Sequence, residues 1–444
     1  MGRDKHLLSA AFAAFVFTNP LAGQQRAVTT VTLADALRLS QRFAPSVVSA
    51  TNGIRSAELN TRSALWSFIP ALNLTPSMNV ALSSGQSRLD PVTGEIISGN
   101  SHVPSYTVGL QASYTIFDGF ARNYTLKQNR AQQAGADATL TTAKFASDFN
   151  TTTAFFLALA QNQLVAVAQS NLDAAESQLR LASAKLHAGS GQLSDSLTAL
   201  GNYLQVRLNL LSAQNALVVN EANLGRLVGI AGRVAAIDDS AFYQVPPSLD
   251  TTAIRNEVLT SAPSIKSLEA SLIASQDAYR ATKAQYFPTL TAQAGQSWTG
   301  YWAGGTQPTT PTAVTVRRSL NLALSITPWT SFARERQIEN ASLAVDNIAA
   351  VLVDQRNALA AQINQAYASL ATAQETITVS AAARNAGEEN LRVVTERYRI
   401  GVATITEVLT AQTQAVSASA AQVSARYNYL LAKAQLEQIL GRKL

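Results

Sequence analysis

The tripeptide Phe120-Ala121-Arg122 recurs as Phe332-Ala333-Arg334, a shift of 212 residues along the chain. The same shift aligns 117–229 with 329–441 without a gap, and upstream it becomes 218 because one connecting loop is shorter in the second copy. This period is far longer than the roughly 20–50 residues of a solenoid repeat. The sequence therefore predicts two tandem half-molecules with the same fold.

Upstream of each tripeptide, apolar and polar residues alternate with a period of two. Alternation over about 9–11 residues is typical of the strands of a membrane-spanning barrel, and a half-buried soluble sheet gives the same pattern. No helical segment of the chain is apolar enough to cover such a sheet, which favours the barrel. We expect two hairpins, at 71–117 and 289–327, whose apolar faces include Leu72, Leu74, Met78, Val80, Val108, Leu110, Leu290, Leu320, Leu322 and Leu324.

Downstream of each tripeptide, the sequence predicts long helices. Proline is absent between Pro104 and Pro246 and again after Pro328, so little interrupts a helix in either half. Apolar residues recur there at helical spacing, and a glycine marks a reversal in each half. At ~1.5 Å per residue, each longer helix reaches on the order of 100 Å. The expected helices are 119–187, 192–229, 331–399 and 403–440.

The N-terminus has the pattern of a secretory signal peptide. Two basic residues, Arg3 and Lys5, precede the apolar run 7–17, and small residues follow near Gly23. A buried N-terminal helix is the alternative. The apolar run is too short to span a bilayer, and no later stretch reaches roughly 18 unbroken apolar residues, so we expect export without a helical anchor. The expected divisions are a signal peptide at 1–23, a first repeat at 24–230, a linker at 231–250 and a second repeat at 251–444.

Composition narrows the possible functions. The formal net charge is +6, only 14% of the residues are charged, and the basic ones are spread along the chain. No basic stripe with interleaved aromatics is present, so nucleic acid is not expected as a partner. The chain has no cysteine, which excludes disulfides, thiolate metal sites and cysteine nucleophiles. No cofactor is expected.

Four expected strands per chain have a consequence for assembly. About eight strands are the fewest that close a barrel, and unpaired strand edges are not tolerated in lipid. The chain must therefore associate with copies of itself. Two copies give eight strands and three give twelve, and only the larger number leaves a wide lumen. A cyclic trimer of doubled chains is nearly sixfold, with the long helices continuing the strands as a second tube.

Several motifs resemble the second repeat of TolC-type outer-membrane efflux channels, the outer membrane factors. They are Ile400-Gly401-Val402-Ala403-Thr404, Glu407-Val408-Leu409 and Ala425-Arg426-Tyr427-Asn428-Tyr429-Leu430. The strand exit Phe117-Asp118-Gly119-Phe120 and the segment Phe287-Pro288 also resemble turns of that family. The likeness covers both halves. It implies an α+β membrane protein, in which a twelve-stranded trimeric β-barrel is continued by a long antiparallel α-helical barrel.

The resemblance also implies a function. A homotrimer in outer-membrane lipid would be the exit duct of a tripartite efflux or type I secretion system. A periplasmic adaptor, or membrane fusion protein, would bind its helical tips, and an inner-membrane transporter would supply energy. Small molecules or polypeptides would pass through it. The glycine-rich Gly189-Ser190-Gly191 joins helix to helix rather than strand to helix, so it does not predict a phosphate site.

In the family, the helix reversals face the adaptor, and acidic residues one or two turns beyond them narrow the inner mouth. The corresponding acids here are Asp195 and Glu407, which the repeat shift relates to each other. Six such carboxylates in a trimer would favour cations. The alternative is that both acids only satisfy the dipole of a helix N-terminus, and the two roles are compatible. The tip residues are Gly189, Ser190, Gly191, Leu193, Ser194, Gly401, Val402, Ala403 and Thr404.

One departure from the family pattern concerns the inner mouth. TolC itself has a basic residue at the position of Ala403 and a second acid at that of Thr410. This chain lacks that part of the charged latch. We expect a looser latch, or one built from other residues.

Two other classes of protein compete with the channel. The sequence offers few candidate catalytic residues for an enzyme. The three histidines, His6, His102 and His187, are scattered, and no His/Asp/Glu cluster accompanies them. A soluble periplasmic coiled-coil adaptor is the stronger rival, since it too is exported. It is expected to carry a compact sheet-rich domain after its helical hairpin, whereas this chain ends on a helical pattern.

Overall fold

The computed structural model describes residues 28–80, 87–98, 104–239, 242, 261–301 and 314–441. The expected signal peptide at 1–23 lies outside these residues, as does the part of the expected linker that contains Pro246-Pro247. In chain order the elements are β1 (Thr29–Val31), α1 (Leu33–Phe43), α2 (Pro45–Trp66), β2 (Ala71–Val80), β3 (Ser87–Leu89), β4 (Ile96–Ser98), β5 (Pro104–Phe117), α3 (Ala121–His187), α4 (Leu193–Val228), β6 (Val234–Ala236), α5 (Pro263–Lys283), β7 (Thr289–Tyr301), β8 (Val314–Ser325), α6 (Ala333–Arg399) and α7 (Ile405–Leu440).

Both hairpins belong to one antiparallel sheet with the strand order β2-β5-β7-β8. The register pairs Leu74 with Leu110 within the first hairpin, and Ala294 with Leu320 within the second. Strands β5 and β7 join the two repeats, and within the part of the chain that the structure describes β2 and β8 each leave one edge unpaired. The apolar face is open in the single chain, where Leu72 is 67% exposed and Leu320 is 76% exposed. In the single chain, the sheet therefore lacks partners for its two edge strands and a covering for its apolar face.

The two long helices, α3 and α6, each contain 67 residues. Each begins two residues later than its sequence suggested, because the preceding residues adopt the left-handed conformation. Gly119 and Phe120 have φ of 67° and 69°, and Ser331 and Phe332 have φ of 50° and 67°. Such residues cannot continue a right-handed helix. In both repeats a pair of left-handed residues therefore stands immediately before the long helix.

The helices form one layer that is four helices wide along its whole length. Near the sheet, α5 packs between α3 and α6, while α2 packs on α3. Beyond the ends of α2 and α5, the returning helices take their places: α4 packs on α3, and α7 packs between α3 and α6. In this second tier the order is α4-α3-α7-α6, so α4 and α6 lie at the two edges.

The start of the expected linker is structured. Strand β6 lies within it and pairs in parallel with β1, which brings the beginning of the described chain against the end of the first repeat. Val234 of β6 is completely buried in the main apolar core. Arg233 extends to Glu221, whose buried carboxylate it meets at 2.7 Å. The segment expected as a linker at 231–250 therefore begins with three residues that form a strand.

One helix among the described residues, α3, is long and apolar enough to cross a membrane by length and composition. The stretch concerned has a mean hydropathy of 1.2, and 28% of it is buried. Phe155, Phe156 and Leu159 of α3 are core residues that pack with Leu224, Tyr427 and others. Packing within the chain therefore accounts for part of the apolar character of this helix.

Candidate functional site at the helix tips

The first tip joins α3 to α4 through a turn that depends on glycine. Gly189 has φ of 72°, and the amide of Ser190 donates to the carbonyl of Lys185 at 3.0 Å. A Cβ on Gly191 would lie 2.9 Å from the amide nitrogen of Leu186, closer than atoms of that kind approach. Gln192 has an extended backbone, and α4 begins at the next residue, Leu193. This tip needs glycine for two reasons: Gly189 adopts the left-handed conformation, and Gly191 lies where a side chain has no room.

The second tip joins α6 to α7 and is closed by a different set of bonds. Gly401 has φ of 84°, and the amides of Val402 and Ala403 both donate to the carbonyl of Arg397, at 2.8 and 3.2 Å. Thr404 then caps α7. This tip contains one glycine, Gly401. Ala403 stands at the position of Gly191, and its amide bonds to the same carbonyl as that of Val402.

The two candidate acids occupy equivalent positions but different environments. The amide of Glu407 donates to Thr404 Oγ1 at 3.2 Å, and Glu407 Oε1 accepts from the amide and the hydroxyl of Thr404 at 3.2 and 3.1 Å. This is a reciprocal capping box, so Glu407 has the structural role of an N-terminal-turn acid. Asp195 also lies in the first turn of its helix, but the first residue of α4 has no side-chain cap. Asp195 instead lies half-buried near Tyr398 of the other tip.

A lysine and a tyrosine connect the two tips. The ammonium of Lys185 lies 4.3 Å from the centroid of the Tyr398 ring and donates to the carbonyl oxygen of Tyr398. The tyrosine is almost completely buried. Burial raises the pKa of Tyr398, and the negative charge of Asp195 raises it further. Sequence reasoning missed this contact, because the repeat shift pairs Lys185 with Arg397 and gives no sign that either basic residue reaches across to the other tip.

A small apolar cluster lies behind these contacts. It combines residues from both tips: Ala182 and Ala199 of the first hairpin with Tyr398, Ile405 and Val408 of the second. Ala403, where TolC has a basic residue, packs against this cluster. The two helical hairpins of one chain are therefore joined near their ends by apolar packing.

The outer surfaces of the tips are apolar and unlike each other. Leu193 is 61% exposed at the first tip, and Val402 is 62% exposed at the second, beside the exposed Ile400. Exposed apolar residues at the end of a helical hairpin are typical of a surface that binds another protein. Ser190 and Ser194 add exposed hydroxyls to the first tip, whereas the exposed Thr404 of the second tip uses its hydroxyl to cap α7.

A sheet with an open apolar face and two free edges, continued by a long layer of helices with apolar tips, defines a subunit of an outer-membrane channel. The sequence profile described as outer membrane efflux protein matches residues 36–230 and 254–442, and the chain belongs to this family. The family consists of transport channels. The protein is therefore located in the outer membrane, with a periplasmic extension.

Two curated relatives share part of the sequence. Protein CyaE of Bordetella pertussis is 27% identical over 368 residues, which cover 81% of this chain and 73% of CyaE. The pyoverdine export outer membrane protein OpmQ of Pseudomonas aeruginosa is 26% identical over 239 residues, which cover 50% of this chain and 48% of OpmQ. Neither relative supports the rival assignment as a soluble adaptor.

Solved structures show the same fold at low sequence identity. The CmeC outer membrane channel of Campylobacter jejuni superposes with a TM-score of 0.76 at 16% identity, covering 92% of this chain and 85% of CmeC. A structure of CusC gives a TM-score of 0.77 at 15% identity and covers 92% of each chain. The resemblance to TolC-type channels, drawn from the tip motifs, is confirmed.

Proposed function

We propose that three copies of this chain form the exit duct of a tripartite efflux or type I secretion system. The observation that carries this proposal is the distribution of exposed apolar residues on the four helices of the second tier. The two inner helices, α3 and α7, have one large exposed apolar residue among their described residues, Leu157. The two edge helices have more: Leu193, Leu197, Leu200, Leu204, Leu208 and Leu211 on α4, and Val379 and Val393 on α6, which is also exposed nearer the sheet at Leu343, Val351 and Val353.

The stripe on α4 has the geometry of a packing seam. Its leucines recur every three or four residues over the first half of the helix, as the apolar residues of a helix–helix interface do. Val206 and Leu210, on the opposite face of α4, are buried against the same chain. The seam is therefore an additional apolar face that another helix is needed to cover. In a ring of copies, α4 of one chain meets α6 of the next.

The sheet supports a ring of three. Four strands per chain leave β2 and β8 free to pair with neighbouring copies. Three copies supply twelve strands, a number that leaves a lumen, whereas eight are filled by their own side chains. The apolar face of the sheet then lies against lipid, and the polar face lines the channel.

The partners follow from the tips and from the relatives. The exposed apolar residues of the two tips, Leu193 and Val402, suit contact with a periplasmic adaptor protein. Because each chain supplies two unlike tips, a trimer offers the adaptor two alternating surfaces. An inner-membrane transporter supplies energy. OpmQ is named for export of pyoverdine, and we assign this chain to the export of small molecules or polypeptides by the same kind of assembly.

We place the narrowest part of the duct near Asp195 and Glu407. The carboxylate of Glu407 has free lone pairs beyond its capping bonds, and Asp195 lies at the equivalent height on the other hairpin. Six carboxylates around one mouth attract cations and repel anions. The contact between Lys185 and Tyr398 holds the two hairpins of each chain together at this level.

The test is the ion selectivity of single channels in planar bilayers. The variant D195N/E407Q is expected to lower the cation-to-anion permeability ratio severalfold, because it removes charge from the mouth without removing hydrogen-bonding groups. The control is E375Q/E389Q, which removes the same charge from exposed positions of α6 away from the tip. Unchanged selectivity in D195N/E407Q, or an equal change in the control, would place the constriction elsewhere.

A further inference from the structure

The four strands of the main sheet contain two charged residues, Arg317 and Arg318, which are adjacent in β8. Side chains of successive residues in a strand point to opposite faces, so the two arginines lie on different sides of the sheet. Arg317 pairs with Ser297 on the polar face, which the proposed duct turns to its lumen. Arg318 lies on the apolar face, which the proposed duct turns to lipid.

The strand register defines the surroundings of Arg318. Across the sheet it shares a row with Gln296, Leu110 and Leu74. Along β8, its neighbours on the same face are Val316 and Leu320, both exposed in the single chain. One contact orients the guanidinium: Arg318 Nε donates to Gln296 Oε1 at 3.1 Å. That contact uses Nε alone, so the two terminal nitrogens remain available on the apolar face.

No carboxylate of the sheet neutralises this charge. The described strands β2, β5, β7 and β8 contain neither aspartate nor glutamate. The free edge of β8 would pair with β2 of the next copy, and β2 is also uncharged. A counterion for Arg318 therefore has to come from outside the sheet, and the surface in question faces lipid.

The position of Arg318 along its strand indicates which lipid. It lies seven residues from Ser325, the end of β8 next to the helices, and four residues from Val314 at the far end. It is therefore in the outer half of the strand. Arginine side chains on a lipid face extend their charged end toward the nearer headgroup layer. For Arg318 that layer is the outer leaflet, which in a bacterial outer membrane is built from phosphorylated glycolipid.

We propose that Arg318, oriented by Gln296, binds a phosphate of an outer-leaflet glycolipid, at one site per chain. The guanidinium presents a planar set of donors that matches phosphate oxygens in a two-pronged arrangement. The Gln296 bond fixes one edge of the guanidinium and leaves the terminal nitrogens for the ligand. This inference rests on the proposed function, because it requires the apolar face to contact the membrane.

Native mass spectrometry of the detergent-purified full chain tests the site, with bis-phosphorylated lipid A as the probe. The wild type is expected to carry up to three phosphate-dependent adducts per trimer, and R318Q to bind roughly tenfold more weakly, as loss of a charge-assisted hydrogen-bonded contact implies. The matched control is R317Q, which removes the same charge from the adjacent residue on the lumen face and is expected to bind as the wild type does.

Each other outcome would count against the site. Equal binding by R318Q, equal loss in R317Q, or equal binding of dephosphorylated lipid A by the wild type would contradict it. The last comparison needs no variant, so it decides the matter even if R318Q fails to assemble. Binding of phosphatidylglycerol as tight as that of lipid A would overturn the assignment to a glycolipid. A trimer without adducts contradicts the site alone, whereas a wild type that stays monomeric contradicts the proposed function as well.

Discussion

Lys185 connects the two hairpins of one chain where the family pattern would have used other charges. It contacts the Tyr398 ring and carbonyl, while Ala403 packs into the apolar cluster behind them. A cation over an aromatic ring contributes ~0.5–2 kcal/mol, depending on how far the pair is withdrawn from water. In the proposed duct, the latch at the inner mouth therefore combines one cation with apolar packing.

The variant K185Q is expected to loosen the mouth. It removes the cation from the Tyr398 ring and should raise single-channel conductance or open probability, since the two tips separate more easily. The matched control is R397Q, the repeat-related basic residue, whose backbone carbonyl rather than its side chain closes its own tip. Conductance unchanged in K185Q, or raised as much in R397Q, would show that Lys185 does not restrain the mouth.

Alkaline pH should destabilise the buried Tyr398 side chain. Burial and Asp195 raise the pKa of Tyr398 above its ordinary value of 10.0. Because the raised pKa belongs to the folded state, the stability from the neutral phenol is complete below pH ~10 and is lost as pH rises through the folded pKa. Thermal unfolding from pH 9 to 12 should therefore show a steeper loss for the wild type than for Y398F. Parallel curves would contradict this role for the phenol.

Single residues show where sequence reasoning stops. The repeat shift related Asp195 to Glu407 and placed both beside the tips. It did not distinguish them, because the difference comes from the residue before each helix: Thr404 caps α7 and engages Glu407, whereas Gln192 gives α4 no side-chain cap. The contact of Lys185 with Tyr398 joins residues 213 positions apart and has no signature in either repeat.

At the scale of elements, an arginine in each repeat holds the strand and the helix together. Arg122 forms an ion pair with Asp118 at 2.8 Å, donates to the carbonyl of Ser67 at 3.1 Å, and lies 5.1 Å from the Phe68 ring centroid. Arg334, its repeat equivalent, lies 4.1 Å from the Tyr286 ring centroid and donates to a carbonyl of the strand exit. These contacts explain why the tripeptide that ends in arginine recurs.

Replacing both arginines should destabilise the junction between sheet and helices. Each side chain is largely buried and satisfies backbone carbonyls, so R122A/R334A is expected to lower the free energy of unfolding by roughly 2–3 kcal/mol per site. Thermal unfolding in detergent provides the measurement. R336A, an exposed arginine one turn into α6, should have little effect. Equal midpoints for R122A/R334A and the wild type would show that the junction does not depend on these contacts.

Most elements could be predicted from periodicity, but their ends could not. The absence of proline indicated two long helices. Both begin two residues later than expected, because a pair of left-handed residues precedes each one. Strand β6 was missed because three residues are too few for a period to be visible, and its partner β1 lies some two hundred residues away. Long-range pairing of short segments leaves no local pattern.

At the scale of the whole molecule, the leucine stripe on α4 should hold the copies together. The variant L204E places a charge in the middle of the stripe, and is expected to shift the purified protein from trimer to monomer in detergent, because a buried unpaired carboxylate is costly. The control T198E adds the same charge to an exposed position of α4 beside the stripe. Mass measured by light scattering separates the outcomes, and a trimer of normal stability in L204E would exclude α4 from the interface.

The internal duplication predicted more of the fold than any single sequence motif did. From the amino-acid sequence alone, it indicated two equivalent hairpins and two helical pairs. It could not show that β5 and β7 join the halves into a single sheet, since that pairing is between repeats. The number of copies is likewise not encoded in any local pattern, and here it rests on counting strands and on two uncovered edge helices.

Single-particle cryo-electron microscopy of the full chain in lipid nanodiscs tests the central claim most directly, because it counts chains and strands together. We predict three chains around one axis, a closed barrel of twelve strands with β8 of each chain paired to β2 of the next, and α4 packed on α6 of a neighbour. A barrel closed by another number of chains, or a monomer whose sheet keeps two free edges, would contradict the proposed duct.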